Sequence, residues 1–134
     1  MAGYSGKPLV QKLGIKSGST IAVLGAPRDY AHTLGKLPSG VTRKASAVGQ
    51  LDFVQFFTKE RQELERRFAT LARALAPAGM LWISWPKRSS GVATDLTEDV
   101  IRVIGLAHGL VDVKVAAVDD VWSGLKFVRR VKDR

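Results

Sequence analysis

Short apolar runs alternate along the chain with segments in which apolar residues recur at helical spacing. Three of the runs, at residues 20–24, 53–57 and 81–85, contain no charged residue and are rich in β-branched and aromatic side chains. Continuous apolar runs of this length are typical of strands that are buried on both faces of a parallel sheet. We therefore expect these segments to be the central, parallel strands of one sheet.

Capping and turn residues predict helices between these runs. Pro8 and Gly14 bound a short helix, and Thr58 is placed to cap a longer one that ends before the turn at residues 77–79. A further helix is expected after Thr97, which is a favourable N-cap residue. The longer helix should bury one apolar stripe, formed by Leu64, Phe68, Leu71, Ala72 and Leu75.

Two apolar segments near the carboxyl end, residues 111–118 and 125–131, are joined by a connection that includes Asp119 and Gly124. We expect them to form an antiparallel hairpin at the edge of the sheet, and residues 41–45 to form a short edge strand. Alternating strands and helices imply a mostly parallel sheet covered on both faces. The sequence thus predicts an α/β fold: a single three-layer Rossmann-like domain over residues 1–134, with about five or six strands and a carboxyl-terminal antiparallel hairpin.

The composition agrees with one globular domain, since 46% of the 134 residues are hydrophobic and 25% are charged. The absence of cysteine excludes disulfides, thiolate metal ligands and a cysteine nucleophile. Residues 1–7 lack the apolar core of a signal peptide, and the apolar runs are shorter than the stretch of about 20 residues that spans a bilayer. We therefore expect a cytoplasmic protein with no membrane partner.

No constellation in the sequence has recognisable catalytic or metal-binding spacing. His32 and His108 fall in predicted helices and have no acidic or histidine partner at ligand spacing. No Gly-x-Ser-x-Gly elbow is present, and Asp119 and Asp120 are expected to stabilise a turn. We therefore predict no catalytic residue, no metal and no cofactor, and the balance of these features is against an enzyme.

The formal net charge of +9 makes attraction to polyanions physically plausible. A solvated basic surface is one explanation. The alternative is binding of nucleic acid through Arg129, Arg130 and Lys132 beside Phe127 and Trp122, because basic side chains bind phosphates and aromatic rings stack on bases. Since no helix-turn-helix, zinc or RNA-recognition motif accompanies them, we expect only weak, salt-sensitive binding.

The order of the elements resembles that of the Rossmann-fold methyltransferases: a leading helix, a first strand that ends in glycine, a strand-helix-strand unit at residues 51–85 and a closing hairpin. Members that bind S-adenosylmethionine end the first strand in several glycines and carry an acidic residue after the second strand for the ribose. Here Gly25 is followed by residues 26–28, in which Pro27 removes an amide donor, and residues 43–44 are both basic. The resemblance implies the fold, and these departures argue against methyl transfer.

Four segments are similar to a narrower group, a bacterial family of domains of unknown function (number three thousand and fifty-two). The segments span most of the chain and lie at residues 3–9, 85–87, 90–96 and 118–125. This resemblance implies a Rossmann-like relative of the methyltransferases without their cofactor loop. It implies no activity.

Six residues are candidates for a ligand site at the carboxyl edge of the central strands, where open α/β sheets bind their ligands. The candidates are Gly25, Arg28, Trp85, Lys87, Thr94 and Asp95. Arg28 and Lys87 would supply positive charge for an anion, Thr94 a hydroxyl group, and Asp95 a carboxylate that orients either cation. Trp85 either packs against a helix or offers a platform for stacking.

These features favour a non-enzymatic binding or regulatory module, whose partner would be an anionic metabolite or an acidic segment of another protein. Two alternatives stay open, a basic nucleic-acid-associated protein and a degenerate methyltransferase-like enzyme. A simpler explanation of the candidate site also stays open: the charges solvate the loops, and Thr94 and Asp95 shape the entrance of the helix that follows Thr97.

Overall fold

The computed structural model describes residues 6–134. Residues 1–5, which belong to the segment considered above for a signal peptide and include the start of the 3–9 segment, lie outside the described range. The helices are α1 (Leu9–Leu13), α2 (Tyr30–Leu34), α3 (Arg61–Arg73) and α4 (Glu98–Ala107). The strands are β1 (Thr20–Leu24), β2 (Thr42–Lys44), β3 (Leu51–Phe57), β4 (Leu75–Pro86), β5 (Leu110–Ala117) and β6 (Trp122–Arg129). Two short 3₁₀ turns, Arg88–Ser90 and Val131–Asp133, complete the described elements.

All six strands form one sheet in the order β2-β1-β3-β4-β6-β5. The three predicted central strands, β1, β3 and β4, pair in parallel, which confirms the prediction. The predicted edge strand β2 pairs in parallel with β1. From β1 the chain goes to one side to form β2 and returns to the other side to form β3, so the strand order reverses between β1 and β3.

The carboxyl-terminal antiparallel hairpin forms at the edge of the sheet as predicted, but with different bounds. Trp122 and Gly124 belong to β6 rather than to the connection, because Asp119 Oδ1 accepts hydrogen bonds of 2.8 Å from the amides of Val121 and Trp122 and closes a tight turn. β6 is antiparallel to both β4 and β5 and lies between them. β5 is therefore the edge strand of the sheet and pairs antiparallel with β6, as expected of an antiparallel hairpin at the edge.

The longest helix, α3, is shorter at both ends than predicted. It begins at Arg61 rather than at Thr58, because the Thr58 amide still donates a hydrogen bond of 3.0 Å to a carbonyl of β4. At the other end, Leu75 leaves the predicted helical stripe and pairs with Leu51 as the first residue of β4. Residues 77–79 lie in β4 where its register with β3 shifts, between the pairs Leu51–Leu75 and Phe53–Met80. Proline is tolerated at such an irregularity of a sheet.

Two apolar cores lie on opposite faces of the sheet, which gives the three predicted layers. α3 and α4 cover one face, where Phe68 and Phe127 are fully buried. α1 and α2 cover the other face, where the buried Trp82 donates its Nε1 proton to the Leu13 carbonyl of α1 at 2.9 Å. Trp82 thus packs against α1, and Trp85 lies in the opposite core. None of the helices in residues 6–134 is long and apolar enough to span a bilayer.

Candidate functional site

A cleft of about 900 Å³ opens at the carboxyl ends of β1 and β3, where the strand order reverses. Open α/β sheets bind their ligands outside the carboxyl ends of the strands at this kind of reversal. The volume is within the range of about 300–1,000 Å³ that small-molecule sites occupy. The cleft is lined by the ends of β1 and β3, the start of α3, the loop before α4 and the first residue of β6, and its lining includes Gly25, Phe57, Thr58, Glu63, Thr94 and Trp122.

Gly25 brings the chain out of β1 close to the end of β3. Its φ is +70°, and a Cβ at this position would lie 2.7 Å from the carbonyl oxygen of Phe57. Both the torsion and the close approach therefore require glycine. The next lining residue of this loop is Pro27, which has no amide proton to offer a ligand. The loop thus turns on a single glycine and contributes fewer donors than a glycine-rich loop does.

Thr94 and Asp95 join the loop before α4 to the start of α3. Thr94 Oγ1 donates a hydrogen bond of 2.6 Å to the Lys59 carbonyl, and Asp95 Oδ1 accepts one of 2.8 Å from the Arg61 amide. A carboxylate is favourable at a helix amino terminus, because it accepts a free amide and opposes the helix dipole. The two side chains hold together the outer wall of the cleft.

The pairing expected for Asp95 does not occur in residues 6–134, since neither Arg28 nor Lys87 forms an ion pair with it. The physical reason is the contact with α3, which holds the Asp95 carboxylate at the helix amino terminus. Asp95 therefore stabilises the start of a helix, but that helix is α3 and not α4, the helix after Thr97 for which this role was considered. The helix after Thr97 is capped by the Thr97 hydroxyl, which accepts a hydrogen bond from the Val100 amide at 3.2 Å.

The charged side chains that line the cleft are mainly carboxylates. Glu60, Glu63 and Asp95 line it, with Lys59 as the basic residue among the lining side chains. Glu63 accepts a short hydrogen bond from the hydroxyl of Thr58, which is 4% exposed. This bond fixes the Glu63 carboxylate at the base of α3. A lining of this kind favours ligand groups that donate hydrogen bonds or carry positive charge.

An aromatic wall lines the cleft and contacts a buried polar network through Tyr30. The Phe57 ring lies edge-on to Trp122 at 5.1 Å and to Tyr30 at 4.7 Å between centroids. The Tyr30 hydroxyl donates a hydrogen bond of 2.5 Å to Gln55 Oε1, and Gln55 Nε2 donates one of 3.0 Å to Ser84 Oγ. Burial raises the pKa of Tyr30, so its hydroxyl stays neutral and available as a donor. The network connects α2 with β3 and β4, and its Tyr30 contacts Phe57, which lines the cleft.

A second groove of about 500 Å³ shares Ala93 and Thr94 with the cleft and extends over the end of β4. Lys87 and Arg88 line this groove together with the start of α4. Trp85 also lines it but is only 6% exposed, and its side chain belongs to the core under α3 and α4. The packing alternative for Trp85 therefore describes its side chain better than an open stacking platform does.

The six predicted site residues are divided between these two concavities. Those that line the cleft are Gly25, Thr94 and Asp95. Those that line the groove are Trp85, Lys87 and, again, Thr94. The exposed Arg28 lines neither of them. Their role in binding a ligand stays a prediction.

Glu60, Glu63 and Trp122 line the cleft and were not among the predicted site residues. Glu60 and Glu63 come three and six residues after the end of the central strand β3, at the same edge of the sheet as Gly25. Their position in the sequence, shortly after a central strand, could therefore have identified them as candidates. Trp122 could not be found in this way, because it reaches the cleft only through the insertion of β6 beside β4.

Arg129 and Phe127, two of the residues suggested for nucleic-acid binding, have structural roles. The Arg129 guanidinium donates to the carbonyls of Leu75, Ala76 and Ala72 at 2.9, 2.9 and 2.8 Å. It thereby bonds the end of α3 to the start of β4. Phe127 is fully buried. These two side chains do not present a stacking and phosphate-binding surface.

In residues 6–134, no group of three or more histidine, aspartate or glutamate side chains comes together that could hold a metal ion. His108 is the C-cap residue of α4, and its Nδ1 lies 3.0 Å from the Ile104 carbonyl oxygen. His108 therefore has a structural role at the end of α4.

No family model and no curated protein matches the chain. Solved structures do match. The magnesium protoporphyrin IX methyltransferase from Synechocystis PCC 6803 with bound S-adenosylmethionine has a TM-score of 0.58 and 14% identity, over 91% of this chain and 74% of that one. A methyltransferase from Aquifex aeolicus that depends on S-adenosylmethionine has a TM-score of 0.63 and 14% identity, over 88% of this chain and 86% of that one.

A third match is the fibrillarin pre-rRNA processing protein of Methanococcus jannaschii, with a TM-score of 0.57 and 14% identity over 86% of this chain and 68% of that one. Identities of this size establish the fold alone. The element order, the parallel central strands and these matches agree with one another. The chain has the Rossmann-like fold of the methyltransferases that use S-adenosylmethionine.

Proposed function

We propose that the protein is a degenerate methyltransferase-like domain that binds a small ligand in the cleft between the ends of β1 and β3. The observation that carries this proposal is the position of the cleft, at the reversal of strand order, together with its volume of about 900 Å³. The narrower resemblance to the family of domains of unknown function is part of the proposal, since that family implies the same fold without the cofactor loop.

S-adenosylmethionine is not the expected ligand. The loop after β1 turns on Gly25 and continues with Pro27, and β2 ends in Arg43 and Lys44, where an acidic partner for a ribose is wanted. A matching structure with this cofactor bound shows what the fold can hold, but not what this loop can hold. We therefore propose that the ligand-binding position is retained and that methyl transfer is lost.

The expected ligand has an apolar or aromatic body and a group that donates hydrogen bonds or carries positive charge. Phe57 and Trp122 provide the apolar wall, and Glu60 and Glu63 provide acceptors near the start of α3. Amines, amidines and nucleobase-like amides have this combination of groups. The proposed chemistry of this cleft therefore differs from the anion preference that the positions of Arg28 and Lys87 suggested.

A thermal-shift screen tests the proposal. Metabolites that carry amine or amide donors, phosphorylated and carboxylated metabolites, S-adenosylmethionine and S-adenosylhomocysteine are each added to the purified protein. A ligand at about 100 times its dissociation constant stabilises the folded state by about 2.7 kcal/mol, which such a screen detects. We expect shifts with donor-bearing ligands and no saturable calorimetric binding of S-adenosylmethionine.

The variant Glu60→Gln/Glu63→Gln should lose these shifts because it removes both carboxylates at nearly constant shape. Glu65→Gln is the matched control, since Glu65 lies on the same helix, pairs with Arg61 and does not line the cleft. Equal shifts in all three proteins would show that the ligand binds elsewhere. Saturable binding of S-adenosylmethionine would contradict the loss of the cofactor site.

An anion in the neighbouring groove is a second candidate, because Lys87 and Arg88 both line it. The same screen separates the two sites. Shifts caused by phosphorylated or carboxylated metabolites should disappear in Lys87→Gln and persist in Glu60→Gln/Glu63→Gln. The opposite pattern would exclude the groove.

A further inference from the structure

Positive charge is concentrated in the part of the chain that forms α1, β1, α2 and β2. Seven basic residues but only one acidic residue, Asp29, precede Leu51. α1 and α2 from this part of the chain cover one face of the sheet. The opposite face is covered by α3 and α4, whose sequences contain both basic and acidic residues. The part of the chain before Leu51 therefore carries +6 of the net charge of +9.

Lys114 and Lys126 add to the charge on the α1 side. They are register partners on β5 and β6, so their side chains share a face of the sheet. Lys126 is also the partner of Trp82, which packs under α1, and Lys114 Nζ donates a hydrogen bond of 3.2 Å to the carbonyl of Lys12 in α1. Like charges directly opposite each other destabilise a sheet, so this pair needs an explanation.

Lys12 in α1 and the exposed Lys16 just after it are close to this pair. Burial lowers the pKa of Lys126, and the charges of Lys114 and Lys16 lower it further. Burial lowers the pKa of Lys12 as well, and the charges of Lys114 and Lys87 add to the effect. Within residues 6–134, Lys16, Lys114 and Lys126 form no ion pair with a carboxylate. Their mutual repulsion is therefore not offset by an ion pair.

We propose that this lysine face, defined as Lys12, Lys16, Lys114 and Lys126, binds the phosphate backbone of a nucleic acid. A bound polyanion would neutralise the repulsion among the ammonium groups. A nucleic acid carries a phosphate at every nucleotide, so one strand meets several ammonium groups in succession, whereas a protein segment would need several carboxylates at matching intervals. Lysine acts on phosphate as a point charge, so the binding is independent of base sequence.

Fluorescence anisotropy with a labelled duplex of about 20 base pairs tests this proposal over a salt series of about 50–200 mM. Each phosphate contact contributes about 0.9 to the slope of log K against log salt. The variant Lys114→Gln/Lys126→Gln should weaken binding to all sequences alike and reduce that slope by about 2. Arg66→Gln/Arg73→Gln removes the same charge from exposed positions of α3, on the opposite side of the sheet, and should leave the slope unchanged.

The thermal midpoint of Lys114→Gln/Lys126→Gln should not fall below that of the wild type, because the substitution removes repulsion. If that variant does not fold, Lys16→Gln provides the same test, with a slope reduced by about 1. An equal loss of binding in the α3 control would overturn the proposal, since it would indicate diffuse charge attraction. Poly-glutamate that competes as well as DNA does at equal charge would also overturn it, in favour of an acidic protein partner.

Discussion

The buried network of Tyr30, Gln55 and Ser84 gives the sharpest prediction for stability. Tyr30→Phe removes one hydroxyl and leaves Gln55 Oε1 without its donor. Tyr30 is 2% exposed, and Gln55 and Ser84 are fully buried, so water does not replace the lost hydroxyl. A buried acceptor that loses its partner costs about 1–3 kcal/mol. We expect Tyr30→Phe to lower the free energy of unfolding by about 2 kcal/mol.

Urea denaturation followed by circular dichroism measures this loss as a lower midpoint at constant m-value. Thr33→Val is the matched control, because it removes a hydroxyl from an exposed position of α2 and should change the free energy of unfolding by less than about 0.5 kcal/mol. Gln55→Leu removes the shared partner, so the double variant with Tyr30→Phe should cost less than the sum of the single losses. An unchanged midpoint in Tyr30→Phe, or strictly additive losses, would refute the coupling of these residues through the network.

Two further predictions concern Arg129 and the response to high pH. Arg129→Met should lower the free energy of unfolding by about 2–4 kcal/mol in the same assay, because three backbone carbonyls lose a charged donor. The control Arg130→Met, at the exposed neighbouring position, should have little effect. Burial raises the pKa of Tyr30 above its ordinary value of 10.0, so above about pH 10 the unfolded chain loses this proton and the folded chain keeps it. Stability should therefore fall by about 1.4 kcal/mol per pH unit from this group, and Tyr30→Phe should lack this component.

The sheet could be predicted from the sequence because its central strands are continuous apolar runs between clear turns. Val54, Leu81 and Ile83 are fully buried, as expected of strands covered on both faces. The bounds of α3 could not be predicted, because they depend on contacts between residues distant in sequence. Asp95 bonds to the start of the helix from 34 residues away, and Arg129 bonds to its end from 57 residues away.

The edge that carries the candidate site was also predictable, since the ends of parallel strands meet at one edge. The composition of the cleft was not. After α4 the chain forms β5 at the edge of the sheet, and β6 then lies between β5 and β4. Trp122 reaches the cleft because it is the first residue of β6, next to the end of β4. Arg28 follows Gly25 by three residues but lies exposed, outside both concavities. Proximity in sequence to a strand end therefore did not decide which side chains line the site.

A net charge of +9 describes the whole chain and no single site on it. Asp52 and the acidic residues after it make up eleven of the 12 in the chain. Three of these, Glu60, Glu63 and Asp95, line the cleft. The lysine face draws on α1, β5 and β6 instead. The two proposed sites therefore have opposite charge and share no residue. Substitutions at Glu60 and Glu63 should leave the salt dependence of nucleic-acid binding unchanged. Substitutions at Lys114 and Lys126 should in turn leave the ligand-induced thermal shifts unchanged. Either proposal can therefore fail without affecting the other.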